Sequence, residues 1–255
     1  MPLFTHEGQA LHYEVHGVGR PVILLHGICV SFAGNYGAWG WIERLNAKGF
    51  QVIGLDFRGH GGSSKPHDAA AYGTAHLAGD VLALMDHLGI AKASLVGYSL
   101  GSAIALHLLH SHPQRFGASA LIATGDGLLG LPPLSVNDVA QALREALVRP
   151  EFPDDLPSHV AAYWTFATKV GGDRLAAHAA ASASYPACAP EVASRIQVPV
   201  LVVSGEFDPV LGRGPQMAQV LPQGRYAEIA GADHFMLARD ELAQTSIANF
   251  LAAPP

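Results

Sequence analysis

Ala93-Ser94-Leu95-Val96-Gly97-Tyr98-Ser99-Leu100-Gly101 decides the fold, because it joins a short β-like run to a helix-forming stretch that continues to His110. Its second half, Gly97-Tyr98-Ser99-Leu100-Gly101, fits G-x-S-x-G. In that pattern two glycines let backbone segments pack closely while the serine sits in a strained strand-to-helix turn. With 28 glycines in 255 residues, composition alone gives about 0.2 chance matches, so the match gains its weight from context. A strand before the serine and a helix after it are the setting the chemistry requires, and Ser99 is therefore the candidate nucleophile.

A serine hydroxyl is a poor nucleophile at neutral pH and needs a base within hydrogen-bond reach, itself held in one tautomer by a carboxylate. Both partners are sought downstream, in the order serine, acid, histidine. Asp208 lies in Gly205-Glu206-Phe207-Asp208-Pro209, directly after an apolar run, and His234 in Gly231-Ala232-Asp233-His234-Phe235, after the next one. Asp126 is the rival acid, a turn aspartate before Pro209 being the bland alternative for Asp208. His234 is singled out among 14 histidines by its place after the last strand. Oxyanion stabilisation needs preorganised donors, and free N–H groups at a helix start supply them. The backbone N–H of Leu100, next after the serine, is one candidate. The N–H of Ile28, in the loop His26-Gly27-Ile28, is the second.

Working outward, Pro21 to Leu25, Gln51 to Leu55, Leu95 to Val96, Ala118 to Ile122 and Val200 to Val203 are apolar runs that stop at Gly-rich loops, as strands buried on both faces do. Helical stretches alternate with them, about Trp41 to Lys48, His76 to Leu88, Leu100 to His110 and Arg239 to Leu251. This alternation predicts an α/β fold, a mostly parallel central sheet flanked by helices, with ligands at the carboxyl ends of the strands. Residues 126–196 break it with clustered prolines and helical pattern. They are expected to form a small helical cap inserted into one core made of residues 1–125 and 197–255. Ser135-Val136-Asn137-Asp138 looks like a capped helix start there. Trp39, Trp41, Tyr163, Trp164 and Phe166 are expected to close a pocket above Ser99. With a cap of about seventy residues, little surface is left for a deep acyl tunnel, so short-chain substrates are expected.

Hydrophobic residues make up 49% and charged ones 14%, a balance that excludes a disordered chain. A net charge of -6 leaves no basic stripe to neutralise phosphates, so neither nucleic acid nor an anionic membrane is an expected partner; the expected partner is a small molecule. No run of eighteen apolar residues and no basic leader followed by an apolar stretch occurs, and the expected location is cytoplasmic. Cys29 and Cys188 are read as free thiols, too few for a disulfide framework and too far apart for a metal site. No cofactor and no metal are expected.

His26-Gly27-Ile28, Asp56-Phe57-Arg58-Gly59-His60-Gly61-Gly62-Ser63-Ser64, Gly97-Tyr98-Ser99-Leu100-Gly101, Gly205-Glu206-Phe207-Asp208 and Gly231-Ala232-Asp233-His234 stand in the order of the α/β-hydrolase superfamily, which the chain resembles closely. Within it the chain is similar to the short-cap branch of carboxylesterases, enol-lactonases and cofactor-free haloperoxidase-like enzymes. The resemblance implies a serine hydrolase cleaving a small carboxylic ester or lactone through an acyl-Ser99 intermediate. It also implies that Asp56 to Ser64 shapes the rim, with Arg58 and His60 in loop hydrogen bonds. Haloalkane dehalogenases and soluble epoxide hydrolases place aspartate where Ser99 stands, which argues against both. Two other activities stay open: carbon-carbon bond hydrolysis of a diketone, and a triad-retaining ligand receptor with slow turnover. The long loop from Cys29 to Trp41, rich in glycine and aromatics, departs from esterase-like relatives.

Overall fold

A hairpin of β1 (Leu3–His6) and β2 (Gln9–His16) opens the computed structural model, which describes residues 2–131, 136–152, 156–170 and 172–253. The strands that follow are β3 (Arg20–Leu25), β4 (Phe50–Leu55), β5 (Ser94–Tyr98), β6 (Ser119–Ile122), β7 (Val200–Gly205) and β8 (Gly224–Ile229). They form one eight-stranded sheet in the order β1-β2-β4-β3-β5-β6-β7-β8. The β1·β2 and β2·β4 pairs are antiparallel and all the others parallel.

Side chains alternate across each strand. Ile23 and Leu25 of β3 therefore pack on one face with Val81 and Leu84 of α2 (Thr74–His87) and Ile104 and Leu108 of α3 (Leu100–Ser111). Val22 and Leu24 pack on the other with Trp41 and Leu45 of α1 (Trp41–Asn46) and Ile247 and Leu251 of the C-terminal helix, Glu241–Ala252. Both faces being covered, the central strands read as continuous apolar runs. An ion-pair network centred on the buried Arg58 ties the N-terminal hairpin to this body. Arg58 donates to both carboxylate oxygens of Asp80 on α2 and reaches Glu7 at the hairpin turn at 3.0 Å.

Between β6 and β7, residues 123–199 hold helices and, among the described residues, no strand. The longer ones are α4 (Val136–Leu147), α5 (Ser158–Thr165) and α6 (Arg174–Ser182), followed by the short α7 (Pro190–Ala193). This helical insertion lies before the last strands, as the proline-broken stretch predicted. Ser135, the expected cap of its first helix, lies outside the described residues.

The turn from β5 to α3 shows why the motif needs its glycines. A Cβ on Gly101 would lie 2.0 Å from the Leu25 carbonyl oxygen, and one on Gly97 would lie 2.3 Å from that of Gly101. A side chain at Gly101 would displace the backbone of β3, and one at Gly97 the backbone of α3. Ser102 locks the turn from below, its hydroxyl lying 2.7 Å from the Gly97 carbonyl oxygen and 2.9 Å from that of Ile122, one of which accepts its proton.

Candidate active site

Ser99 stands at the tip of that turn with φ 52° and ψ −110°, a backbone conformation that costs about 1–3 kcal/mol for a residue with a side chain. Its Oγ lies 3.0 Å from Nε2 of His234, and Nδ1 of the same ring lies 2.7 Å from Oδ2 of Asp208. His234 is 1% exposed and Ser99 and Asp208 7% each, so the relay is shielded from bulk water. The other oxygen of Asp208 accepts the N–H groups of Val210 at 2.8 Å and Leu211 at 3.0 Å. Burial pushes this carboxyl up, but the charge and hydrogen bond of His234 and those two N–H groups outweigh it and hold the group below its ordinary value. With Asp208 ionised, Nδ1 of His234 carries the proton, and Nε2 is left as an acceptor facing the serine. Asp126, the rival acid, makes no contact with the ring. Its Oδ1 accepts the Met217 N–H at 2.7 Å, at the start of the helix Pro215–Val220.

A sequence profile of the α/β hydrolase fold matches residues 20–167, more than half of the chain. The chain belongs to the α/β hydrolase fold family. Among curated relatives, an epoxide hydrolase of Caballeronia sordidicola is 35% identical over 114 residues, which is 44% of this chain and 33% of that protein. This chain thus aligns with about a third of the length of that relative. Two solved structures match it almost end to end. One, described as Est816, an N-acyl homoserine lactone degrading enzyme, has 27% identity and a TM-score of 0.76, covering 97% of this chain and 99% of the other. The other is the enol-lactonase from Burkholderia xenovorans LB400, with 26% identity and a TM-score of 0.75, covering 99% and 100%.

In this α/β hydrolase the loop after β3 is built around the Ile28 N–H, which has no hydrogen-bond partner among the described residues. On either side of it the backbone is pinned. The Gly27 N–H donates to Oδ1 of Asn35 at 2.8 Å, and the Cys29 N–H to Nε2 of His60 at 3.1 Å. Nδ1 of His60 in turn donates to the Arg58 carbonyl at 3.0 Å, which fixes the tautomer. Burial, reinforced by neighbouring His26, holds the His60 imidazole down at about 3, so it stays neutral and remains an acceptor. His26 repeats the arrangement, accepting the Phe57 N–H and donating to the Gly27 carbonyl. Arg58 and His60 thus serve the rim through hydrogen bonds, as the resemblance implied. Leu100 is the first residue of α3, so its N–H has no partner within the helix and sits at the positive end of the dipole.

Two cavities meet at Ser99, sharing Ile28, Ser99 and Tyr163 as walls. The smaller, about 420 Å³, is aromatic and includes Trp39, Tyr98, Phe166 and His234. The larger, about 730 Å³, is mainly aliphatic and runs between α3 and the helical insertion. That volume exceeds what the expectation of a filled cap allowed, because the insertion roofs the strand ends without occupying the space over α3.

The five aromatics expected at the pocket divide. Trp39, Tyr163 and Phe166 line it, and the Tyr163 hydroxyl reaches the Ser99 side chain. Trp41 does not. It is fully buried under the sheet, edge-on to Tyr36, with its N–H donated to the Ala238 carbonyl at 2.7 Å. Trp164 also faces away, packed against Phe152 and donating to the Arg149 carbonyl at 3.3 Å. Both indoles are core anchors, since a buried ring N–H must find an acceptor, and neither ring lines either cavity. The sequence reading missed Asn35 and Tyr98. Tyr98 donates its hydroxyl to the His234 carbonyl at 2.5 Å and so fixes the loop that carries the base. Its place beside Ser99 in the motif was the available signal.

Proposed function

We propose that this chain hydrolyses a small-molecule carboxylic ester or lactone through an acyl-Ser99 intermediate. The observation that carries the reading is the buried relay from Asp208 through His234 to Ser99, and the unpartnered N–H groups of Ile28 and Leu100 are assigned as the oxyanion donors it needs. His234 takes the serine proton as Oγ attacks the carbonyl carbon, and the two N–H groups hold the oxygen that gains charge. His234 then gives that proton to the leaving alkoxide. A water enters, is deprotonated by the same nitrogen, and attacks the acyl carbon; collapse expels Oγ, which recovers the proton. Est816 and the enol-lactonase support a lactone as one substrate class.

A fluorophosphonate probe tests the reading directly. The probe is expected to add to Ser99 alone among the 15 serines of the sequence, located by peptide mass spectrometry, and p-nitrophenyl butyrate to be turned over steadily through many cycles. A burst of about one product per protein followed by stalling would indicate the slow-turnover receptor instead. Absence of labelling at Ser99 would end the proposal.

A further inference from the structure

We infer that the larger cavity is the site of the acyl arm, and that the substrate carries an apolar acyl chain of about ten carbons. The inference rests on the ester-hydrolase reading and deepens it. Its first step is the side on which His234 lies. The leaving oxygen must come within hydrogen-bond reach of Nε2 of His234 to receive its proton. His234 lines the smaller cavity and not the larger one. The alcohol therefore departs into the aromatic cavity beside Trp39, and the acyl arm, on the opposite bond of the carbonyl carbon, points into the other.

The second step is the shape of that other cavity. Leu100, Ala103, Leu106, His107 and His110 all line it. Their spacing of three and four residues places them on one face of α3. The cavity thus follows the helix from the residue next to Ser99 to its last turn. At 1.5 Å per residue this path is about 15 Å long, which accepts about ten to twelve carbons at full extension. Leu128 and Leu143 form part of the opposite wall. No Lys, Arg, Asp or Glu lines it among the described residues, so no charge on the acyl chain is met. Among the described residues the far end is not closed. His107 is exposed there and His110 half-buried, a polar rim at which a longer chain emerges into water.

Each methylene moved from water into such a cavity is worth about two- to fourfold in kcat/KM when its burial is realised in the transition state. On p-nitrophenyl esters from acetate to palmitate, kcat/KM is expected to rise to about decanoate and then level, with decanoate at least about tenfold above butyrate. In Ala103→Phe a ring crosses the path one turn from Ser99, and the decanoate-to-butyrate ratio is expected to fall at least about tenfold. An uncleavable pair removes turnover from the question: 2-undecanone is expected to bind the Ser99→Ala protein at least about tenfold more tightly than 2-pentanone by calorimetry. A maximum at acetate or butyrate, or equal binding of the two ketones, would overturn the inference. If no ester of any length is turned over, the hydrolase reading fails, and the ketone pair still decides the acyl site.

Discussion

Ser99→Ala is expected to lower kcat/KM for p-nitrophenyl esters by roughly 10³-fold or more while leaving the protein folded. The hydroxyl makes its hydrogen bond to His234 at the junction of two cavities, and its removal opens no core void. What remains after the change is binding and the two N–H donors, which by themselves retain only a small part of triad catalysis. The backbone at this position stays at φ 52°, which alanine tolerates about as poorly as serine, so the melting temperature is expected to move by only a degree or two. Near-normal turnover in a purified, folded Ser99→Ala protein would remove Ser99 from the mechanism.

Asp208→Asn is expected to cost about 10³- to 10⁴-fold in kcat, on the scale known for the same change in serine-protease triads. The asparagine Oδ1 can keep the Val210 and Leu211 N–H bonds, so the loop is expected to survive. Its amide nitrogen, however, would face Nδ1 of His234, where a carboxylate oxygen now accepts at 2.7 Å. The ring then turns its proton to Nε2 and can no longer accept one from Ser99. Asp126→Asn is the matched control, since its one side-chain bond among the described residues, to the Met217 N–H, needs an acceptor that asparagine also supplies. Its kcat is expected within about threefold of the parent. Kinetics of the two variants side by side decide the assignment, and a greater loss in Asp126→Asn would reverse it.

The parallel strands were legible because burial on both faces writes itself as an apolar run. Gln51 to Leu55 and Val200 to Val203 fall within one or two residues of the observed bounds. Asp208 and His234 were legible for the same reason, each following such a run at the sheet's carboxyl edge. The N-terminal hairpin was not, because β2 reads Gln-Ala-Leu-His-Tyr-Glu-Val-His and is buried only at Leu11 and His12. An edge pairing with one wet face carries no apolar block. Trp41 and Trp164 could not be placed because an indole suits a pocket wall and a core equally well. The choice was made by distant acceptors, the Ala238 and Arg149 carbonyls, whose nearness only the fold creates. The larger cavity was invisible for a related reason, since it is defined by the space the insertion leaves empty.

The order in which the chain supplies its strands also constrains how the molecule is made. β1 to β6 come from the first half of the sequence and pair with one another, but the neighbour of β6 arrives only after residues 123–199 have been laid down. During synthesis the Ser119–Ile122 edge therefore waits unpaired, its N–H and C=O groups a template for the wrong partner. Pairing of β7 with β6, and of β8 with β7, caps that edge. The same segment delivers Asp208 at the end of β7 and His234 just beyond β8. The nascent chain thus acquires its protected edge and its proton relay together, and a polypeptide stalled before residue 200 has neither.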